Sequence, residues 1–501
     1  MKARMLGVVF VVLGMVAAGS VSAAPFQLDV DQDWFDGAHP QGRTLTGTGG
    51  ATLVPTWDGT TVTYSPADGF DFNGKNLLCS GGSNTTTPPV TFDLGGKDMT
   101  GGGKFQSGTS NYNDDVGRLT IQNVRNISVD EIELRQDEGD GMTVSQTGSF
   151  DVEKIVNWHR GTGGDVSLTG GGAIAGGSFT LGSLDNYAGG SPNMNLTISD
   201  YHQVLFTGTV PEHSNPGYEW HADTSINAGR DRAGQTVKIE DIGAGGITMP
   251  GGIWARCKDR GLSSITLGTS GAVSIGGDLD VRCGAWFGGS RTVGIEVEAD
   301  GSVALAGLLT FGNDNGVTGN SKDGGPISVT SNNGTVQING DIDSACYTGK
   351  GAGGDVTLTA RGDITVAGSM NLDGIGGDAK DGVLSMTTLG SLITVEDLDC
   401  ALFKTDPDSW TFNSGSGLSQ INGLVSNLEA TPGLTSDQLR VPGGQLVFYF
   451  PEENPALNEQ TYTLDGGGLL TPFAVQPIPE PGFAGLLLFG AGVLLRKRRV
   501  A

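Results

Sequence analysis

The sequence predicts an all-β protein folded as a parallel β-helix (β-solenoid) with about 28–32 residues per turn. Short apolar pairs in period-two alternation, such as Val356 and Leu358, place both side chains on one face of a strand. Pairs of this kind recur through residues 115–400 at nearly constant steps, with one longer step of 41 residues between Leu196 and Val237. Segments rich in Gly, Asn and Asp separate them, which is typical of solenoid corners.

Eight apolar pairs mark the first strand of successive turns. One short strand cannot bury its apolar face alone, but stacked copies enclose a continuous core. The pairs are Val166/Leu168, Leu196/Ile198, Val237/Ile239, Ile265/Leu267, Ile295/Val297, Ile327/Val329, Val356/Leu358 and Leu384/Met386. Second and third runs follow within turns, for example at Ile364/Val366 and Met370/Leu372, so we expect three strands per turn. Propeller blades need about 40–45 residues and four strands, which fits less well.

The cadence G-x-V-x-L-x-A-x-G-x-I-x-V resembles the right-handed parallel β-helices of secreted haemagglutinin- and adhesin-like proteins. This resemblance covers residues 115–400 and implies the architecture more than the function. The chain has 501 residues, 85 of them Gly, and a solenoid of this length grows by adding turns rather than by dividing into domains.

Residues 1–23 have the pattern of a secretory signal peptide. Lys2 and Arg4 precede an apolar stretch, and small residues lead to an expected cut between Ala23 and Ala24. The alternative is a buried core helix. We expect residues 24–114 to form an N-terminal β cap, and residues 401–476 a C-terminal β cap or linker.

Five cysteines follow third-strand-like segments near one corner: Cys79, Cys257, Cys283, Cys346 and Cys400. Cys257 and Cys283 belong to adjacent turns, and stacked strands lie about 4.8 Å apart, so a disulfide between them is a candidate. The alternative is a semi-buried ladder of small residues. The odd number leaves at least one thiol unpaired or intermolecular in an exported chain.

The 41-residue step predicts an inserted loop within residues 199–236. Tyr218 and Trp220 in this loop are candidates for stacking on a sugar ring, with His221 beside them as a third glycan-contact candidate. An ordinary surface loop is the simpler interpretation. The alternative function, a surface polysaccharide-processing lyase or hydrolase, would use Glu219, His221 or Asp223 in a groove beside the insertion. No catalytic motif is recognised, and His159 and Lys154 are among the isolated basic candidates.

The net charge of −26 makes nucleic acid a poor partner. No Cys/His spacing predicts a metal site, and calcium is the one candidate cofactor. Oxygen-rich segments at 313–315, 320–323 and 378–381 could supply calcium ligands, but turn chemistry explains their Asn and Asp residues equally well. Thr357 and Thr359 form a T-x-T pair of the kind that can match ice, and we do not expect it to repeat in register across turns.

Residues 477–501 carry the most specific functional signal. Pro479-Glu480-Pro481 is followed by the apolar run 482–495 and then by the basic cluster Arg496, Lys497, Arg498 and Arg499. Fourteen helical residues span about 21 Å, which is short for a bilayer unless the flanking basic side chains reach outward. The basic cluster is expected to stay cytoplasmic.

This tripartite tail resembles the PEP-CTERM sorting signal, also called the ice-binding protein C-terminal domain. The resemblance implies that an exosortase-type membrane transpeptidase recognises Pro479, Glu480 and Pro481 and removes the tail. It also implies association with the extracellular polysaccharide of a bacterium. A plain membrane anchor is the alternative. Together these observations predict an exported structural or adhesive solenoid, held in the inner membrane transiently and then at the cell surface or in the matrix.

Overall fold

The computed structural model describes the chain from residue 24 onward in segments: 24–36, 38–79, 86–108, 115–136, 138–159, 164–174, 176–188, 194–210, 224–228, 235–255, 263–281, 293–310, 323–346, 352–372, 374, 382–389, 392–399, 410–414, 418–421 and five short strands beyond. The signal segment, residues 211–223 and the tail 477–501 lie outside the described residues. The helices expected in the signal segment and the tail therefore remain predictions.

The described strands wind into a parallel β-solenoid with three sheets, one on each side of a common core. The strands of the first sheet are Val62–Tyr64, Met142–Gln146, Val166–Thr169, Met194–Ser199, Gln235–Ile242, Ser263–Thr269, Val293–Ala299, Ile327–Ser331, Val356–Ala360, Leu384–Thr388, Trp410–Ser414 and Leu439–Arg440. Val90–Thr100 begins in this sheet and bends into the second, and Leu119–Gln136 passes through all three sheets.

The second sheet contains Phe26–Gln27, Phe70–Asp71, Gln203–Phe206, Gly246–Met249, Val273–Ile275, Val303–Leu305, Val336–Ile338, Leu418–Ile421, Gln445–Tyr449 and Leu469–Phe473. The third contains Gln32–Phe35, Leu77–Cys79, Lys104–Ser107, Thr224–Ala228, Gly252–Ala255, Leu279–Asp280, Leu308–Leu309, Ile342–Asp343 and Val425–Ser426. Strands that run through both are Phe150–His159, Ser178–Ala188, Ile364–Asn371 and Ile393–Asp399.

The register confirms the parallel β-helix and all eight predicted pairs. Val166 lies beside Leu196, Leu196 beside Val237, and the ladder continues in the same way to Leu384. Direct pairing of Leu196 with Val237 shows that the extra residues of the 41-residue step stand outside this ladder. Inward apolar side chains of the three sheets form one core.

Parallel pairing also extends N-terminal to residue 115. Val62, Val90 and Leu119 share one column of the first sheet, and Phe26 pairs with Phe70 in the second. A hairpin of Leu45–Gly47 and Ala51–Leu53, linked by the 3-10 turn Thr48–Gly50, bridges through Gly47 to Leu28. The remaining short pairings are Thr56–Trp57 with Val62–Tyr64, Asp115–Val116 with Glu138–Gly139, and Tyr462–Thr463 with Leu469–Phe473.

Aromatic side chains fill much of the core near the N-terminal end. Phe150 and Phe179 stack across adjacent turns with centroids 4.8 Å apart and planes only 5° from parallel. Phe179 also contacts the rings of Tyr201 and Phe206, at 5.0 and 5.9 Å. Toward the C-terminal end, Val, Ile and Leu replace the rings. Within the described part of the chain, no helix has the length and apolar character needed to cross a membrane.

Candidate functional site

A column of hydroxyl side chains runs along the outer face of the first sheet. The strands alternate between inward apolar residues and these outward positions, as at Thr357 between the buried Val356 and Leu358. In register, the column consists of Thr63, Thr91, Thr120, Thr143, Ser167, Thr197, Lys238, Thr266, Glu296, Ser328, Thr357, Ser385 and Thr411. We call this column the hydroxyl ladder; only Lys238 and Glu296 interrupt it.

A second outward column reinforces the hydroxyl ladder near its C-terminal end. Thr359 lies beside Thr330 on one turn and Thr387 on the other, while Thr357 lies between Ser328 and Ser385. The expectation that the T-x-T pair does not repeat in register was therefore wrong for Thr359, while serines flank Thr357 on both turns. Comparison of the residue between each apolar pair would have revealed the ladder, because that position is Ser or Thr in most repeats.

A groove with a volume of about 670 Å³ lies where the ladder is interrupted. Its titratable lining consists entirely of carboxylates: Asp200, Glu240, Asp241, Glu296, Glu298 and Asp300. Thr266, Thr269 and Ser270 contribute hydroxyls, and Asn332 stands at one end, where Nδ2 donates to Asp300 Oδ1 at 3.1 Å. We call this feature the acidic groove.

Some side chains of the acidic groove form hydrogen bonds within the protein, and others do not. The Thr269 hydroxyl donates to the carbonyl oxygens of Ile242 and Gly243, at 3.2 and 3.0 Å, so it holds the adjacent corner. Glu240, Asp241 and Glu296 have no hydrogen-bond or ion-pair partner among the described residues. These three carboxylates are therefore available to a ligand.

A cluster of three polar side chains is buried on the inner side of the third sheet. Asn157, His159 and Asn186 are all fully buried, and His159 Nε2 lies 2.7 Å from Asn157 Oδ1. Burial lowers the pKa of His159 to about 4, so the ring is neutral at physiological pH. Sequence reasoning offered His159 as an isolated basic candidate for catalysis; the structure places it in the core. Lys154 lies 3.9 Å from Glu131 on the neighbouring strand, as part of an ion-pair cluster.

Most residues singled out from the sequence lie outside the described residues. This applies to the cut at Ala23 and Ala24, to Tyr218, Trp220, His221, Glu219 and Asp223, to Cys257 and Cys283, and to the tail with Pro479, Glu480, Pro481, Arg496, Lys497, Arg498 and Arg499. The glycan-contact, disulfide and sorting predictions therefore remain predictions. Cys79 and Cys346 are buried.

The calcium segments remain predictions for the same reason, apart from one residue. Asp323 Oδ1 accepts a hydrogen bond from the backbone N–H of Ala352 at 2.8 Å, which is a corner-forming role. Within the described segments, no group of three or more His, Cys, Asp or Glu residues is arranged to hold a metal ion.

The described surface therefore offers two features for recognition, a hydroxyl ladder along the rod and an acidic groove on the same face. Hydroxyl and carboxylate oxygens suit hydrogen bonding to polar, hydroxyl-rich ligands. Comparison of the chain with protein-family models, with curated proteins and with solved structures gives no match.

Proposed function

We propose that this chain is an exported structural or adhesive rod that contacts the polysaccharide of the cell surface or extracellular matrix. The observation that carries the proposal is the hydroxyl ladder, which repeats a neutral hydrogen-bonding group on nearly every turn of one face. Its tail would be recognised at Pro479, Glu480 and Pro481 by an exosortase-type transpeptidase, which would release the rod from the inner membrane.

The geometry of the ladder suits binding to a polymer. Parallel pairing fixes successive hydroxyls at about 4.8 Å along the rod. A polysaccharide also presents hydroxyls at regular intervals, so many weak contacts form at once, and the effective concentration of each further contact is high. The backbone ladder orders these groups before binding, which lowers the entropic cost of association.

Replacing ladder hydroxyls with apolar groups of similar size tests the adhesive role. We expect the full-length triple variant Ser328→Ala, Thr357→Val, Ser385→Ala to bind isolated matrix polysaccharide at least about tenfold more weakly in a pull-down assay, since each lost hydrogen bond contributes about 1 kcal/mol. The matched control is Thr365→Val with Thr394→Val, two outward threonines that pair in the second sheet. Equal binding by both variants and the wild type would contradict the proposal.

A separate experiment tests delivery. The wild type and Glu480→Ala are expressed in a host with an exosortase, then compared by fractionation and intact mass. We expect the wild type to lose its tail and reach the surface, while the variant stays in the inner membrane. Retention of the tail by both proteins would indicate that the segment is only a membrane anchor.

The register of the threonines favours a second candidate function, the binding of ordered water at an ice surface. Thr357 and Thr359 with their neighbours Ser328, Thr330, Ser385 and Thr387 form a two-column array with spacings of about 4.8 Å along the rod and about 6.7 Å across it. Thermal hysteresis or inhibition of ice recrystallisation by the wild type, lost on Thr357→Val with Thr359→Val, would support this function over adhesion.

A further inference from the structure

The acidic groove has the size and the open floor of a binding site. Its volume of about 670 Å³ falls within the range typical of small-ligand pockets, about 300–1,000 Å³, and accommodates a short oligosaccharide. The floor is Gly268, which pairs with Glu298 and packs against Glu240.

Gly268 is not required by the backbone. A Cβ placed there would approach no atom closer than 3.8 Å, the Cα and Cβ of Glu240, which is ordinary contact. Its φ also lies outside the left-handed region, unlike that of Gly246 nearby. Glycine at this position therefore keeps the groove open without serving the fold.

The negative charge of the groove favours a positively charged ligand. The six carboxylates that line the groove concentrate negative potential in one place. Three of them, Glu240, Asp241 and Glu296, have no partner among the described residues. An anionic polymer is repelled from this site, and a cationic one is attracted.

The distribution of the carboxylates favours a polymer over a single small cation. Asp200 follows one strand of the first sheet, Glu240 belongs to the next, and Glu296 and Glu298 lie two strands further along. Three strand spacings correspond to about 14 Å along the rod. In the ladder column Lys238 stands beside Thr266, and neutral hydroxyls continue the face beyond it at Thr197 and beyond Glu296 at Ser328.

We propose that the acidic groove binds amine-bearing glycans, polysaccharides whose sugar units carry free, protonated amino groups. Carboxylates pair with the ammonium groups, while Thr266 and the flanking hydroxyls bond to the sugar hydroxyls. The lining offers small polar groups rather than the apolar pockets that anchor peptide side chains, which favours a glycan over a basic protein segment. The inference rests on the proposed function and names its ligand class.

The test measures binding of a glucosamine hexamer with free amines to the full-length protein by calorimetry at about pH 6. The fully N-acetylated hexamer and a lysine hexapeptide are measured in parallel. Gly268→Thr fills the floor, and Glu240→Gln with Glu298→Gln removes two charges. The matched control, Asp151→Asn with Glu153→Gln, removes two charges from exposed positions of Phe150–His159.

We expect the free-amine hexamer to bind the wild type and the control equally, and both groove variants at least about tenfold more weakly. The N-acetylated hexamer should bind far more weakly to all four proteins. Three results would overturn the proposal: no binding to the wild type, the same loss in the control, which would indicate whole-molecule charge, or equally tight, groove-dependent binding of the lysine peptide. Unchanged matrix binding by the ladder variant would instead overturn the adhesive function, whatever the groove variants do.

Discussion

Asn157 Nδ2 donates a hydrogen bond to Oδ1 of Asn186 on the next turn at 2.7 Å, with both side chains fully buried. The same Nδ2 donates to the carbonyl oxygen of Gly164 at 3.3 Å, where the chain leaves the corner. Because the Asn157 amide is the donor in both bonds, its Oδ1 is the acceptor, and His159 donates to it from Nε2. The three side chains form one network that fixes the corner between the third and first sheets.

Removal of Asn157 from this network should destabilise the protein. Asn157→Ala leaves the Asn186 and Gly164 acceptors without their donor, and each buried orphan costs about 1–3 kcal/mol. We expect the free energy of unfolding to fall by about 2–4 kcal/mol, measured by circular dichroism in increasing denaturant. Asp151→Ala, an exposed position of the same strand, should change it by less than about 0.5 kcal/mol. Similar losses in the two variants would contradict the role given to the network.

The buried imidazole should make stability depend on pH. The pKa of His159 is lowered from 6.5 to about 4, so between these values the unfolded chain binds a proton that the folded chain does not. The folded state therefore loses stability as the pH falls from about 6.5 to about 4, and this contribution levels off below that. The full effect approaches about 3 kcal/mol at 1.36 kcal/mol per pKa unit.

His159→Gln isolates that contribution, because glutamine retains an N–H donor and does not titrate in this range. Denaturation midpoints are compared for both proteins from about pH 7 to about pH 4. We expect the variant to become more stable relative to the wild type as the pH falls across this interval. Parallel curves would show that His159 protonates equally in the folded and unfolded states.

The apolar alternation of the sequence was sufficient to predict the solenoid and its register. Val356 and Leu358 pair with Ile327 and Val329, as the repeat predicted, because a one-residue shift would expose every core side chain. The period is less visible where strands bend. Leu119–Gln136 passes from the first sheet to the third through irregular pairings between Ile121 and Ile127, with Asn123 in the left-handed region.

The candidate sites were harder to predict, because they depend on neighbours in three dimensions. Asn157 and Asn186 occupy inward positions that a hydrophobicity pattern assigns to apolar residues, and only their contact across turns explains them. The acidic groove joins Glu240 to Glu298, which are far apart in sequence, through the glycine between their strands. Reasoning along single repeats singled out neither of these carboxylates.

Removal of the Phe179 ring from the core should be costly. The ring stacks on Phe150 and contacts Tyr201 and Phe206, so Phe179→Ala creates a cavity bordered by three rings. We expect a loss of about 3–5 kcal/mol in the free energy of unfolding and a lower thermal midpoint by calorimetry. Phe179→Leu should recover part of this loss, and an alanine variant as stable as the wild type would show that the neighbouring rings close the space.

Two glycines of adjacent turns should respond oppositely to the same substitution. Gly246 has φ +76°, and a Cβ there would lie 2.3 Å from the carbonyl oxygen of Ala272, so Gly246→Ala combines backbone strain with a clash. We expect a loss of at least about 2 kcal/mol, since the left-handed conformation alone costs a non-glycine residue about 1–2 kcal/mol. Gly268→Ala meets only ordinary contact, and it should be neutral or stabilise the fold by up to about 1 kcal/mol through the unfolded chain. Unfolding of both variants and the wild type in increasing denaturant measures the two changes in the free energy of unfolding. Destabilisation by Gly268→Ala would mean that the fold itself requires this glycine, and the case for a floor kept open for a ligand would lose its main support.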